Sequence, residues 1–92
     1  MSGADGFDAT ILAFLRDRFP FARQRSVTRN DSLLESGIVD SLGVLELVEF
    51  LEKTFRISIT EEDLVPKNFD SVGRMTDLVV RKRADRRPPD GV

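Results

Sequence analysis

The chain has 92 residues and a formal net charge of −2, with 40% apolar and 33% charged residues. This length predicts one small domain with a modest core and excludes a deep catalytic cavity. No apolar run approaches the roughly 18 residues of a membrane-spanning helix. Residues 1–6 lack the basic and apolar regions of a signal peptide, so we expect a cytoplasmic protein that does not contact a membrane.

The absence of cysteine and histidine narrows the possible chemistry. It excludes a disulfide framework and a thiolate metal site, and it removes the commonest general base. Lys53 lies about three helical turns from Ser41, too far to activate that hydroxyl as a nucleophile. The acidic residues 61–63 lack the alternating spacing and the glycine of a calcium loop. We therefore expect neither a catalytic site nor a metal site.

The first predicted helix covers residues 8–18, with Asp8 as its N-cap. Pro20 ends the helical pattern, and a long loop follows over residues 20–40. Within this loop, residues 32–35 have the spacing of a capping box, which predicts a single helical turn. Its leucines would attach the loop to the core.

The second predicted helix covers residues 41–55. Six apolar residues share one broad face at helical spacing and predict its core side: Val44, Leu47, Val48, Phe50, Leu51 and Phe55. Four charged residues fall on the opposite side: Glu46, Glu49, Glu52 and Lys53. Leu42 and Leu45 lie beside these glutamates, so we expect two exposed leucines on an acidic face. Arg56 follows at a position where a left-handed residue often closes a helix.

Two further helical segments are predicted after Arg56. Thr60 and Asp63 have capping-box spacing and predict a short helix, which Pro66 limits. Ser71 is the predicted cap of a last helix that ends near residue 82. No segment requires a β-strand. The predicted fold is an all-α bundle of three main helices with one or two short helical turns and a long loop between the first two helices.

We expect residues 7–82 to form the folded domain, between disordered ends at 1–6 and 83–92. Residues 30–63 hold nine acidic residues against two basic ones, a net charge of −7. This acidic centre favours basic protein partners. It argues against nucleic acid as the partner, although nucleic acid binding through the basic residues within 81–87 remains an alternative.

Ser41 lies where the second helix is predicted to begin, directly after Asp40. Unpaired backbone N–H groups and the positive end of the helix dipole make such a position suitable for an attached phosphate. Serine and aspartate are both favoured N-caps, however, so either residue could simply cap the helix. Val44 stands three residues after Ser41, where a full capping box would have Glu or Gln.

The sequence Gly-Ile-Val-Asp-Ser-Leu at residues 37–42 stands at the head of an acidic amphipathic helix. A Phe-x-Ile-x-Ile pattern follows at residues 55–59. With these motifs at its centre, the chain resembles the acyl carrier protein family over residues 8–82. Two residues separate the glycine from the aspartate, whereas many fatty acid carriers have one. With residues 64–69, this spacing makes the chain more similar to stand-alone D-alanyl, aminoacyl or specialised-pathway carriers than to classical fatty acid carriers.

The resemblance implies that Ser41 receives 4′-phosphopantetheine from coenzyme A through a separate phosphopantetheinyl transferase, with Asp40 and Leu42 beside the attachment point. The protein would carry an acyl or aminoacyl group as a thioester from a loading ligase to downstream synthase or transferase enzymes. It would act as a monomer without catalytic activity of its own. The docking residues implied for these enzymes are Leu42, Leu45, Glu46, Glu49, Glu52, Glu61 and Glu62.

A protein of another class remains an alternative. A helical interaction module could bind a basic partner through the acidic helix without any modified serine. Retention of function after Ser41→Ala would favour this alternative.

Overall fold

The computed structural model describes residues 3–84, which contain four α-helices: α1 (Gly3–Arg18), α2 (Pro20–Gln24), α3 (Ser41–Phe55) and α4 (Val72–Ala84). Two 3-10 helices, Glu61–Asp63 and Pro66–Phe69, lie between α3 and α4. Within residues 3–84 there is no β-strand, and the predicted all-α bundle of three main helices is confirmed. Among residues 3–84, none of the helices has the length and apolar character of a membrane-spanning segment.

The helix α1 begins at Gly3, five residues before its predicted start. Asp8 is therefore an interior residue of the helix, and its prediction as the N-cap is wrong. Its carboxylate accepts a hydrogen bond from the Thr76 hydroxyl of α4 and forms an ion pair with Arg29, with Nε and Oδ2 2.7 Å apart. These partners are distant in sequence, so local spacing gave no indication of them.

At both ends of the described chain, helical structure extends further than the sequence predicted. Residues 3–6 and 83–84 are helical, whereas the sequence predicted disorder there. The remaining residues of the two expected disordered ends, 1–2 and 85–92, lie outside the described part of the chain.

The loop between α1 and α3 contains α2, which the sequence pattern did not predict. Phe19 has extended backbone angles (φ −123°, ψ 103°), as expected for a residue before proline. Pro20 then occupies the first turn of α2, where a missing N–H costs no helical hydrogen bond. The same proline thus ends one helix and begins the next.

The core lies between the three main helices. Their buried apolar side chains are Ile11, Leu15, Leu47, Leu51, Phe55, Val72, Met75, Leu78 and Val79. Leu33 is fully buried, so the predicted turn at residues 32–35 does attach the loop to the core. Ser32 Oγ accepts a hydrogen bond from the Glu35 N–H at 3.1 Å and donates one to Asp70 Oδ1 at 2.7 Å.

Several local predictions are confirmed at the ends of the elements. The sequence Thr60–Asp63 forms a full capping box, and Ser71 Oγ accepts a hydrogen bond from the Arg74 N–H at 3.1 Å. Arg56 adopts the left-handed conformation with φ 56° after α3. Gly37 has φ 79°, a conformation available to glycine at little cost, and it turns the chain toward the start of α3.

Candidate functional site

The start of α3 places Asp40 and Ser41 in different roles. Asp40 is the N-cap, and its Oδ1 accepts a hydrogen bond from the Gly43 N–H at 2.8 Å. Ser41 is the first helical residue and its side chain is exposed. Among residues 3–84, no group forms a hydrogen bond with the Ser41 hydroxyl. The capping function therefore belongs to Asp40, and the Ser41 Oγ is available for another use.

The surroundings of Ser41 are compatible with an attached phosphodiester. The first turn of α3 contains no acidic side chain, and its backbone N–H groups lie at the positive end of the helix dipole. Asp40 uses its carboxylate on one of these N–H groups. This helix end therefore favours a negatively charged group.

An apolar groove of about 250 Å³ opens beside Ser41. Its apolar lining residues are Leu34, Val44, Leu64, Val65, Pro66 and Phe69. This groove is not predictable from local sequence, because the loop and the second 3-10 helix meet α3 only in the folded structure. A larger concavity of about 440 Å³ is formed by residues between 25 and 38, but Ser41 does not line it. Of these two, the smaller groove is the one that Ser41 lines, so an extended group on Ser41 could enter it.

The exposed face of α3 carries two leucines, as predicted. Leu42 is 73% exposed and Leu45 is 60% exposed, although both lie in a helix that buries its opposite side. Glu49 is exposed on the same helix, and Glu61 and Glu62 are exposed on the first 3-10 helix. Leu42, Leu45 and Glu49 therefore share the exposed side of α3, and Glu61 and Glu62 are exposed on a separate element.

Two of the predicted docking carboxylates have internal partners. Glu46 Oε1 accepts a hydrogen bond from Arg18 Nη2 at 2.9 Å. Glu52 is half-buried, and its Oε2 accepts a hydrogen bond from the Ile59 N–H at 2.9 Å. Glu52 therefore supports the segment after α3. Within the described residues, Glu49, Glu61 and Glu62 form no ion pair.

Comparison with known proteins identifies the family. A sequence model of the family described as "Phosphopantetheine attachment site" matches residues 9–79. The chain belongs to the acyl carrier protein family, whose members bear covalently attached 4′-phosphopantetheine. It is 40% identical over 77 residues to "Probable acyl carrier protein PigG" of Serratia sp. (strain ATCC 39006), an alignment that covers 84% of this chain and 88% of that protein. The resemblance inferred from the motif at residues 37–42 is confirmed.

Proposed function

We propose that this protein is a discrete acyl or aminoacyl carrier modified with 4′-phosphopantetheine at Ser41. The observation that supports this assignment is the exposed Ser41 hydroxyl at the start of α3, which forms no hydrogen bond with residues 3–84 while Asp40 caps the helix. When bound, the group supplies the thiol that carries the cargo as a thioester. The chain itself would contribute the acceptor oxygen, the helix end that favours the phosphate, and the apolar groove beside it.

We further propose that enzymes dock on the exposed face of α3. Leu42 and Leu45 provide apolar contact area, and Glu49, Glu61 and Glu62 provide accessible negative charge. Basic surfaces on a phosphopantetheinyl transferase, a loading ligase and downstream enzymes would be attracted to this face. The carrier would catalyse no step itself. A cytoplasmic location and a monomeric state stay predictions from the sequence.

The attachment site is tested by incubating the protein with coenzyme A and a broad-specificity phosphopantetheinyl transferase. We expect intact-mass spectrometry to show a gain of one phosphopantetheine, and Ser41→Ala to abolish it. Ser58→Ala removes another exposed serine, after α3, and is the matched control that should be modified normally. A folded wild-type protein that gains no mass, or a Ser41→Ala variant that still gains it, would contradict the proposal.

A further inference from the structure

Arg18 lies between α1 and the acidic face of α3. Its Nη2 is 2.9 Å from Glu46 Oε1, and each side chain is about half exposed. Of the five glutamates expected to take part in docking, Glu46 is the one that forms an ion pair within residues 3–84. One carboxylate of the proposed docking face is thus paired with a cation of the same chain.

Three features hold the Arg18 guanidinium at this place. Arg18 is the last residue of α1, where the helix dipole favours a positive charge. Its Cζ is 5.9 Å from the centroid of the Phe14 ring, within range of a cation–π interaction. Phe14 in turn stacks on Phe50 of α3 with centroids 4.0 Å apart. The guanidinium therefore lies at the junction of α1 and α3.

A groove of about 300 Å³ runs along this junction and places further charges near the pair. Glu49 and Lys53 of α3 line it together with Arg18 and Glu46. Because the ion pair is about half exposed, it is weak and its members can exchange partners. A cation from another protein can therefore take the place of Arg18 on Glu46, but only by separating the existing pair.

We propose that Arg18 is an internal competitor for partner cations at Glu46 and weakens the docking of basic enzymes. This inference rests on the proposed docking through α3. A partner lysine or arginine that approaches Glu46 is repelled by Arg18 and must displace it. The favoured partner is then one that places apolar side chains on Leu42 and Leu45 and directs its cations toward Glu49. Weaker docking also speeds dissociation, which suits a carrier that must visit several enzymes.

The test is Arg18→Gln, with the apo-protein titrated as the substrate of a broad-specificity phosphopantetheinyl transferase that has a basic docking surface. We expect a KM about two- to five-fold below that of the wild type, the size of effect that an exposed ion pair produces. The kcat should not change, because Arg18 does not contact Ser41. The difference should shrink when the ionic strength is raised to roughly 0.5 M, since salt screens exposed charges.

Three matched variants separate competition at Glu46 from a change in net charge. Arg16→Gln removes the same charge from α1 roughly 200° around the helix and should leave KM near the wild-type value. Arg18→Lys keeps the charge and should also stay near it. In a Glu46→Gln background, Arg18→Gln should have no further effect on KM. Thermal unfolding of each variant shows that the compared proteins are folded.

Equal KM values for Arg18→Gln and Arg16→Gln would overturn the inference. The same decrease in KM from Arg18→Gln in the Glu46→Gln background would also overturn the inference. The failure of the proposed function looks different, because the wild-type protein would then gain no phosphopantetheine at all. Normal modification at Ser41 with a KM insensitive to Arg18 would leave the carrier function standing and remove only this inference.

Discussion

Gly43 and Asp40 together determine how Ser41 is presented. A Cβ atom on Gly43 would lie 2.8 Å from Phe19 Cε1 and 3.1 Å from Val39 Cγ1, so glycine allows the first turn of α3 to pack closely against the end of α1. Asp40 fixes the beginning of the helix through its bond to the Gly43 N–H. Both residues therefore position Ser41 without using its hydroxyl.

At the level of single residues, we predict that helix capping by Asp40 and the negative charge of Asp40 have separate effects. Asp40→Ala should lower the free energy of unfolding by about 1 kcal/mol, because the Gly43 N–H loses its acceptor. Asp40→Asn keeps an acceptor oxygen and should lower the free energy of unfolding by at most about 0.3 kcal/mol. Urea denaturation measures both variants.

The same two variants test whether the charge of Asp40 assists the transferase, as the resemblance implies. If it does, Asp40→Asn should raise the KM of modification although the helix remains capped. Equal unfolding free energies for Asp40→Ala and wild type would show that another group satisfies the Gly43 N–H.

At the level of elements, Asp63 connects the first 3-10 helix to α4. Its carboxylate accepts hydrogen bonds from the Thr60 backbone N–H and hydroxyl, both at 3.0 Å, and its Oδ2 lies 2.7 Å from Lys82 Nζ. Burial opposes ionisation of this carboxyl, but the Lys82 ammonium and the Thr60 donors outweigh it. The pKa of Asp63 therefore lies below its ordinary value.

This lowered pKa predicts a defined dependence of stability on pH. The contribution of Asp63 is complete above the unfolded-state pKa of 3.8 and is lost as the pH falls through the lower folded-state value. Asp63→Asn should thus be less stable than wild type by about 1 kcal/mol at pH 7, a loss typical of an ion pair. Urea denaturation should show this gap narrowing when the pH is lowered to roughly 3.

Asp77→Asn is the control for this prediction, since Asp77 is an exposed carboxylate on α4 that forms no ion pair with residues 3–84. It should match the wild type at both pH values. If the difference in unfolding free energy between Asp63→Asn and wild type stays constant with pH, the ionised form of Asp63 is not what stabilises its contact with Lys82.

The elements that the sequence predicted best are those decided by neighbouring residues. Both ends of α3 were predicted correctly because its apolar periodicity, Asp40 before it and Arg56 after it are all local. The sequence pattern does not predict α2, because Pro20 ends the periodicity of α1, whereas proline is also favoured in the first turn of a helix.

At the candidate site, too, the features decided by neighbouring residues were predicted, and those that depend on tertiary contacts were not. Exposure of Leu42 and Leu45 followed from helical geometry alone. The internal partners of Glu46 and Glu52 did not, because Arg18 belongs to another helix and the Ile59 N–H depends on how the chain turns after α3.

At the level of the whole molecule, Asp8 holds together segments that are far apart in sequence. Its side chain contacts Thr76 on α4, and it also pairs with Arg29 in the loop. The Arg29 carbonyl accepts a hydrogen bond from the Gly73 N–H at 2.8 Å, which fastens that loop to the start of α4. The bundle therefore has a polar connection between α1, the loop and α4 beside its apolar core.

We predict that this connection behaves as a coupled unit. Asp8→Ala should cost about 1–3 kcal/mol in unfolding free energy, because the Thr76 hydroxyl is almost fully buried and loses its partner. In a Thr76→Val background the same change should cost less, since valine leaves no hydroxyl to satisfy. A double-mutant cycle by urea denaturation should give a coupling energy of roughly 0.5–3 kcal/mol. Asp17→Ala, an exposed change on the same helix, should be nearly neutral in both backgrounds. Strictly additive effects of Asp8→Ala and Thr76→Val would show that the two side chains stabilise the fold independently.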